Sequence, residues 1–239
     1  MPINQSILNR TIATSYSFLV IGITVVVVIL FLFHQMSVIY SDFNKLQKEN
    51  NSSKEETFMN ENLLNKKIAM VISFRDFKDI EYFIPRDIFI NKKAEVLTVS
   101  SKKGIAIGDD GGEANVDIEA SEFKVEAFDA VIFIGGSGMS KKLDDAEFQR
   151  IAKDAVENDK ILGAICIAPA LLAKAGVLNG KEATVWSSYL EREPVNILKR
   201  NGAIYKEESV VVDGKIVTAN GPEAAKEWAG TLIGVIASQ

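Results

Sequence analysis

The only cysteine of this 239-residue chain, Cys166, stands between two runs of different character. The segment before it, ILGAI, is typical of a buried β-strand, and the segment after it, IAPALLAKAG, predicts a helix that ends at Gly176. A sharp turn from strand to helix holds a nucleophile clear of the backbone, often in a strained conformation. The start of a helix also adds free N–H groups and partial positive charge, which favour a thiolate. The pattern indicates a reactive thiol; the alternative is an inert cysteine packed under a helix.

The elements that must position this thiol begin at Lys67. From there, apolar runs of strand length alternate with segments of helical spacing, which predicts an α/β domain with a mainly parallel sheet. In the first of these helices, the spacing places Ile80, Phe83, Ile84 and Ile88 on one apolar face. Residues 104–120 predict a hairpin or a loop, with a glycine-rich turn in the middle. The GDDGG segment lacks the ligand spacing of a calcium loop, and a hairpin turn explains it better.

Ligands of parallel sheets bind at the carboxyl ends of the strands. Three predicted strands end at residues 74–79, at residues 135–138 and at Cys166, and these ends meet at one edge if the strands are neighbours. The GGSG segment that begins at Gly135 is not followed by a glycine-rich motif of the kind that binds phosphate at the start of a helix. The chain also has no cysteine pair or histidine cluster that could hold a transition metal. We therefore expect neither a cofactor nor a bound metal.

Charge and composition exclude other classes of protein. The net charge is −5, so there is no basic surface for nucleic acid, and we expect no nucleic-acid partner. A single cysteine cannot form an internal disulfide.

An uncharged N-terminal stretch predicts a membrane anchor. No Asp, Glu, Lys or Arg occurs between Thr11 and Ser41, and the centre of this stretch is almost wholly apolar. We predict an N-terminal tail (1–14), a transmembrane helix (15–40), a polar tether (41–66) and the α/β domain (67–239). The alternatives are a cleaved signal peptide, although no small-x-small cleavage pattern follows, and a buried core element. The positive charges on the two sides of the predicted span are nearly balanced, so they do not decide its orientation. The short N-terminal tail favours a single-pass protein with its domain outside the cytoplasm.

Several segments together carry a resemblance to a known family. AICIAP, FKDIEYFIP, FDAVIFIGGSG and VVVDGKIVTANGPEAAKEWA resemble, in order and spacing, segments of the DJ-1/PfpI superfamily, whose fold is like that of class I glutamine amidotransferases. The resemblance runs from Lys67 to about Ser238 and leaves out the predicted anchor and tether. It implies a flavodoxin-like three-layer sandwich that forms a homodimer or a higher homo-oligomer.

The resemblance also implies roles for individual residues. Cys166 matches the reactive nucleophile, and Glu81 matches the carboxylate that touches its sulfur. Gly135, Gly136 and Ile167 match the backbone positions that face a developing oxyanion or an oxidised sulfur. We expect Glu81 to be protonated at neutral pH and to donate to the thiolate, so that the pKa of Cys166 falls below its usual value.

The chain departs from the family pattern in its histidines. Protease-like members place His directly after the nucleophile, where this chain has Ile167, and others bring His from the next strand, where Trp186 stands. The only histidine, His34, lies in the predicted span. No Cys–His dyad can therefore form in one chain or between copies, and we do not expect peptidase activity. Trp186 and Tyr189 are expected to line the pocket; the alternative is simple packing at the sheet edge.

The sequence is compatible with three functions. The first is a glyoxalase- or deglycase-like enzyme that acts on small reactive carbonyls through Cys166 and Glu81. The second is a non-catalytic redox or stress sensor whose cysteine is oxidised to a sulfinic acid. The third is an anchored scaffold that keeps the fold without its chemistry.

Overall fold

The structure is a computed structural model that describes residues 32–43, 45 and 61–239. The chain divides into two units, Met1–Glu56 and Thr57–Gln239. In the first unit, residues 32–43 and 45 are helical. No helix within the described ranges combines the length and the apolarity needed to cross a bilayer. The predicted tail (1–14) and most of the predicted span (15–40) and tether (41–66) lie outside the described residues.

In residues 61–239, twelve strands and six α-helices follow one another, with three short 3₁₀ turns. The strands are β1 Lys67–Val71, β2 Arg75–Phe77, β3 Glu95–Ser100, β4 Gly104–Gly108, β5 Glu113–Val116, β6 Ile118–Glu119, β7 Ala130–Phe133, β8 Ile161–Ile165, β9 Glu182–Ala183, β10 Ile204–Tyr205, β11 Val210–Asp213 and β12 Ile216–Ala219. The helices are α1 Asp79–Asn91, α2 Ser137–Ser140, α3 Ala146–Glu157, α4 Ala168–Lys174, α5 Glu193–Arg200 and α6 Ala225–Ala237. The 3₁₀ turns are Ala120–Glu122, Val125–Ala127 and Pro222–Ala224.

Seven of these strands form the central sheet in the order β11-β12-β8-β7-β1-β3-β6. All neighbouring pairs in it are parallel except β11 with β12, which is antiparallel. Strands β7 and β8 are buried along their whole length, as expected for parallel strands covered on both faces. The predicted mainly parallel sheet is confirmed.

Helices cover both faces of the sheet and make three layers. Along β1, Ala69 and Val71 pack with α3, α4 and α5 on one face, while Ile68 and Met70 pack with α1 and α6 on the other. This alternation follows from the two-residue period of a strand. Cys166 contacts both hydrophobic clusters, because it lies where the sheet ends between the two helical layers.

The buried side of helix α1 differs from the apolar face that the sequence predicts. Its buried side chains are those of Glu81, Tyr82, Pro85 and Phe89. Of the predicted apolar face, Phe83 and Ile88 are partly buried and pack against the core, whereas Ile80 is 41% exposed. The reason is that a carboxyl group occupies the buried side of this helix, next to Tyr82, whose hydroxyl pairs with Thr98 at 2.6 Å. Counting apolar residues alone cannot detect such a face.

The segment before β1 also packs on the domain. Leu63 is fully buried, and its N–H donates to the carbonyl of Lys92 at 2.7 Å. Packing in this domain thus includes side chains that precede Lys67.

A small second sheet contains the predicted hairpin. Strands β4 and β5 are antiparallel, and β2 pairs with β4, so the hairpin prediction is confirmed. The turn between them is held by Asp79 at the start of α1, whose carboxylate accepts the N–H groups of Asp110 at 2.8 Å and Gly112 at 2.6 Å. These contacts bring the hairpin turn to the helix that carries Glu81.

Candidate active site

Three strand ends meet at one edge of the sheet, because β8, β7 and β1 are neighbours. The chain leaves β8 at Cys166, leaves β7 into the glycine turn 135–138, and leaves β1 toward β2 and α1. The positions that the sequence singles out are therefore brought together at the carboxyl edge, where α/β proteins bind ligands.

The turn that carries Cys166 has a strained backbone. Cys166 has φ of 63°, a left-handed conformation that is uncommon for residues other than glycine. Its N–H donates to the carbonyl of Ala219 at 2.9 Å, and its own carbonyl accepts the N–H of Trp186 at 2.8 Å. These two hydrogen bonds fix the residue on both sides and hold the thiol at the start of α4.

The Glu81 side chain reaches this turn from α1 and is fully buried. Its Oε2 accepts the N–H of Gly135 at 3.1 Å, while its Oε1 has no hydrogen-bond partner among the described residues. Burial raises the pKa of Glu81 to about 7, although hydrogen bonding to the Cys166 thiol and to Gly135 lowers it. A carboxyl group with this pKa can give and take a proton near neutral pH.

Gly135 is the point where these two groups come together. A Cβ atom at this position would lie 2.6 Å from the Cβ of Cys166 and 2.7 Å from Oε2 of Glu81. No side chain larger than a hydrogen atom fits there unless one of the two groups moves. The thiol and the carboxyl group can therefore interact only because this residue is glycine.

Gly136 needs to be glycine for a different reason. Its φ of 109° lies in the region that residues with a side chain rarely adopt, and a Cβ atom would lie 2.5 Å from the carbonyl oxygen of Asp76 and from the nitrogen of Lys78. The close approach continues in the hydrogen bond from Lys78 N–H to the Gly135 carbonyl, at 3.1 Å. The glycine turn is thus packed directly on the chain that leads into α1.

The electrostatic environment raises the pKa of the Cys166 thiol, and the expected decrease was wrong. Burial is the largest cause, followed by the charge of Glu81 and the hydrogen bond with it; the N–H groups of Gly136 and Ile167 lower the pKa, but by less. Helix α4 has only seven residues, so its dipole is short. The thiol therefore keeps its proton at neutral pH, and Glu81 is the group that titrates there.

The remaining predicted site residues take different places. The N–H groups of Gly136 and Ile167 act on the sulfur, whereas the N–H of Gly135 is already used by Glu81. Trp186 is 36% exposed and adjoins Cys166 through the backbone hydrogen bond. Tyr189 is 97% exposed and lines a groove beside the site rather than the space around the sulfur.

Asp109, in the hairpin turn, is a residue that the sequence reasoning missed. Its carboxylate accepts the hydroxyl of Ser137 at 3.0 Å, and its N–H donates to the carbonyl of Phe77 at 2.8 Å. Its charge also contributes to the raised pKa of Glu81. Asp109 therefore links the glycine turn to the chain before α1. The local sequence carries no signal for this link, because it depends on where the hairpin folds.

Comparison with known proteins decides the family. The DJ-1/PfpI family matches residues 66–234. The chain belongs to the DJ-1/PfpI family. A ThiJ/PfpI domain protein from Brachyspira murdochii has a solved structure that matches with a TM-score of 0.69 at 35% identity, covering 72% of this chain and 97% of that one. The flavodoxin-like fold implied by the resemblance is confirmed.

Two relatives show how this DJ-1/PfpI domain compares in sequence. Uncharacterized protein MJ0967 of Methanocaldococcus jannaschii is 36% identical over 167 residues, which cover 70% of this chain and 80% of that protein. Protein/nucleic acid deglycase 2 of Escherichia coli is 33% identical over 164 residues, which cover 67% of this chain and 91% of that protein.

Proposed function

We propose that this DJ-1/PfpI protein is a cysteine-dependent enzyme that acts on small reactive carbonyl compounds, as a glyoxalase or a deglycase does. The observation that carries the proposal is the pairing of Cys166 with Glu81 across Gly135, where a buried carboxyl group with a pKa of about 7 adjoins a strained nucleophile. The name of the Escherichia coli relative, a deglycase, supports the same class of reaction.

The first step uses Glu81 as the base. As the sulfur of Cys166 bonds to the aldehyde carbon of a 2-oxoaldehyde, the thiol proton passes to the Glu81 carboxylate. The carbonyl oxygen takes up the electron pair, and the N–H groups of Gly136 and Ile167 stabilise its charge. This assignment fits a thiol with a raised pKa, because proton transfer accompanies the attack and no free thiolate is needed beforehand.

The later steps move a proton between neighbouring carbons. Protonation of the oxyanion gives a hemithioacetal; Glu81 then takes the proton from its carbon, and a proton is returned to the former ketone carbon. The aldehyde carbon is thereby oxidised to a thioester while the ketone is reduced to an alcohol. Water hydrolyses the thioester and releases a 2-hydroxy acid and the thiol. The net change is addition of one water molecule, with no external oxidant or reductant.

A deglycase reaction reaches the same hemithioacetal from a different starting compound. In an aminocarbinol, the adduct of an amine with a 2-oxoaldehyde, the sulfur attacks the carbon that bears the nitrogen. The amine leaves with a proton from Glu81, and the hemithioacetal remains. Peptide hydrolysis is not part of the proposal, because the single histidine, His34, lies outside the family match over residues 66–234.

Turnover of methylglyoxal to lactate by the full-length chain tests this function. We expect Cys166→Ser and Glu81→Gln each to lower kcat/KM by at least about a hundredfold, the lower range for loss of acid–base catalysis. Glu113→Gln, which replaces an exposed carboxylate, is the matched control and should leave the rate unchanged. Turnover that survives Cys166→Ser would overturn the proposal.

The alternatives predict other results in the same preparation. If methylglyoxal is not consumed but mild peroxide adds two oxygen atoms to Cys166 by intact mass, the protein is a redox sensor. If neither occurs, the domain is a scaffold.

We further propose, from the sequence alone, that residues 15–40 anchor the chain in a membrane with the domain outside the cytoplasm, and that the chain forms a homodimer. Release of the chain from membranes by an alkaline wash would contradict the anchor. Digestion of the domain by protease only after the cells are opened would contradict its placement outside the cytoplasm. A monomer at high micromolar concentration in sedimentation would contradict the dimer.

A further inference from the structure

A groove of about 390 Å³ lies beside the Cys166 turn, and the steps proposed above do not use it. Its volume falls in the range of roughly 300–1,000 Å³ that is common for small-molecule sites. Ser187 and Asn220 are among its lining residues. Ser187 follows Trp186, and Asn220 follows Ala219. Both Trp186 and Ala219 form backbone hydrogen bonds with Cys166.

The groove therefore lies close to the Cys166 turn along the chain. Ser187 and Asn220 each lie one residue beyond a backbone hydrogen-bond partner of Cys166, a step of about 3.8 Å between Cα atoms. For the other end of a sulfur-bound molecule to reach Ser187 and Asn220, the molecule must extend for a few more carbon atoms beyond its reactive end. Methylglyoxal, with three carbons, is too short to do so.

The lining of the groove is rich in hydrogen-bonding groups. The hydroxyl of Ser187 accepts from Arg192 at 3.2 Å, and that of Ser188 accepts from the Glu191 N–H at 3.0 Å, so both hydroxyl protons are available for donation. The side-chain amide of Asn220 makes no hydrogen bond to the described residues. The carboxylate of Glu208 adds acceptors on the same surface.

An aromatic ring completes this lining. Tyr189 is 97% exposed, and its ring stands at the groove with both faces uncovered. Aromatic faces carry negative partial charge and attract the polarised C–H groups of hydroxylated carbon chains. A ring beside hydroxyl, amide and carboxylate groups suits a ligand that carries alternating C–H and O–H groups.

We propose that the groove binds the hydroxylated tail of a sugar-derived 2-oxoaldehyde, so that the preferred substrates are six-carbon compounds of this class. The proposal rests on the proposed function, since the dicarbonyl end would react at Cys166 by the same steps. It adds a choice of substrate: the tail of the molecule, which takes no part in the chemistry, is held by Tyr189, Asn220 and the two serines.

Three probes separate the length of the tail from its hydroxyl groups. Methylglyoxal has no tail, 2-oxohexanal has a six-carbon chain without hydroxyls, and 3-deoxyglucosone has a six-carbon chain with three hydroxyls. For the full-length wild-type chain we expect kcat/KM to be highest for 3-deoxyglucosone, with each well-placed hydrogen bond giving about a five- to tenfold gain. Equal or lower values than for 2-oxohexanal would overturn the proposal.

Two variants test whether this substrate preference arises in the groove. Tyr189→Ala and Asn220→Ala should each lower kcat/KM for 3-deoxyglucosone by about five- to tenfold and change the value for methylglyoxal less than twofold. Leu190→Ala is the matched control, because Leu190 is 92% exposed, adjoins Tyr189 and does not line the groove. Equal losses on all three substrates would contradict the assignment.

A binding measurement keeps this proposal separate from the proposed function. In the Cys166→Ser protein, calorimetry should give tighter binding of D-gluconate, a six-carbon hydroxy acid, than of lactate by about tenfold, and Asn220→Ala should remove the difference. This result does not depend on turnover. If neither acid is preferred, the groove does not recognise the tail, whether or not methylglyoxal is a substrate.

Discussion

The inner wall and the outer rim of the candidate site are built in opposite ways. On the inner wall, Glu81, Gly135 and Gly136 are buried, and the two glycines leave no room for a Cβ atom. On the rim, Tyr189 and Leu190 are almost fully exposed on a segment held mainly by its own hydrogen bonds, such as Ser188 N–H to the Glu191 carbonyl at 3.0 Å.

In the proposed enzyme, this difference separates two tasks, the chemical step and the choice of substrate. The inner wall sets the distance between a thiol and a carboxyl group, and small displacements of catalytic groups are costly. The rim does not touch the sulfur and can accept substitutions that change which molecules bind. Variants of the inner wall should therefore change stability and chemistry together, whereas variants of Tyr189, the rim residue that lines the groove, should change only the choice of substrate.

The largest expected effect on activity and stability together is that of Gly135→Ala. The new Cβ atom would overlap Cys166 and Glu81, so we expect a loss of about 1–3 kcal/mol in unfolding free energy, as for overpacked cores. Activity on methylglyoxal should fall by about a hundredfold or more. Urea unfolding and steady-state kinetics measure the two effects.

Gly180→Ala is the control for Gly135→Ala. Gly180 has φ of 73° and open space around its Cβ position, so the change should cost about 1 kcal/mol of stability and leave activity unchanged. Normal activity in Gly135→Ala would show that the contact across Gly135 is not needed.

Glu81→Gln should change how stability depends on pH. The pKa of Glu81 is raised from 4.5 to about 7, so the folded state binds a proton that the unfolded state has lost. Its stabilising contribution is complete below pH 4.5 and is lost as pH rises through about 7, a change of about 3 kcal/mol. The Gln variant should lack this decrease.

Unfolding free energies at several pH values between 4 and 8 test this slope. The slope is more informative than the difference at any one pH, because an amide at position 81 also alters hydrogen bonding. Glu113→Gln should keep the wild-type decrease, since it leaves Glu81 intact. A wild-type protein whose stability does not fall over this range would contradict the raised pKa.

The smallest effect is expected at the rim. Tyr189→Ala should change the unfolding free energy by less than about 0.5 kcal/mol, because the side chain is almost fully exposed. Tyr82→Ala is the buried counterpart; that ring is 2% exposed, and its loss should cost about 3–5 kcal/mol. Comparable losses for the two tyrosines in chemical denaturation would show that the rim is part of the core.

The sequence predicts the scaffold of the site better than its electrostatics. The run ILGAIC followed by IAPALL predicts the turn at Cys166, and the GG pair after an apolar strand predicts the tight turn at Gly135. These patterns are local, so the chain shows them directly. The sequence pattern identifies Phe83 and Ile88 as core-facing residues of α1 but not Glu81, because a buried carboxyl group interrupts the apolar pattern.

The properties that depend on packing could not be predicted in this way. The pKa of Cys166 is governed by burial between two helical layers, which no local run of residues reveals. Asp109 reaches Ser137 only because the β4–β5 hairpin folds over the start of α1. Both results come from contacts between segments that are far apart in the chain.

The hydrogen bond from Cys166 to Ala219 has a consequence for the order of events during synthesis. Ala219 ends β12, which is synthesised after β8, and the parallel pairing of β12 with β8 joins segments that are distant in the chain, which slows its formation. Until that pairing is complete, Cys166 lacks this backbone hydrogen bond, and we expect its thiol to be more open to oxidants and electrophiles than in the folded domain. We therefore expect the nascent chain to be open to modification at the residue on which its proposed activity depends until β12 pairs with β8.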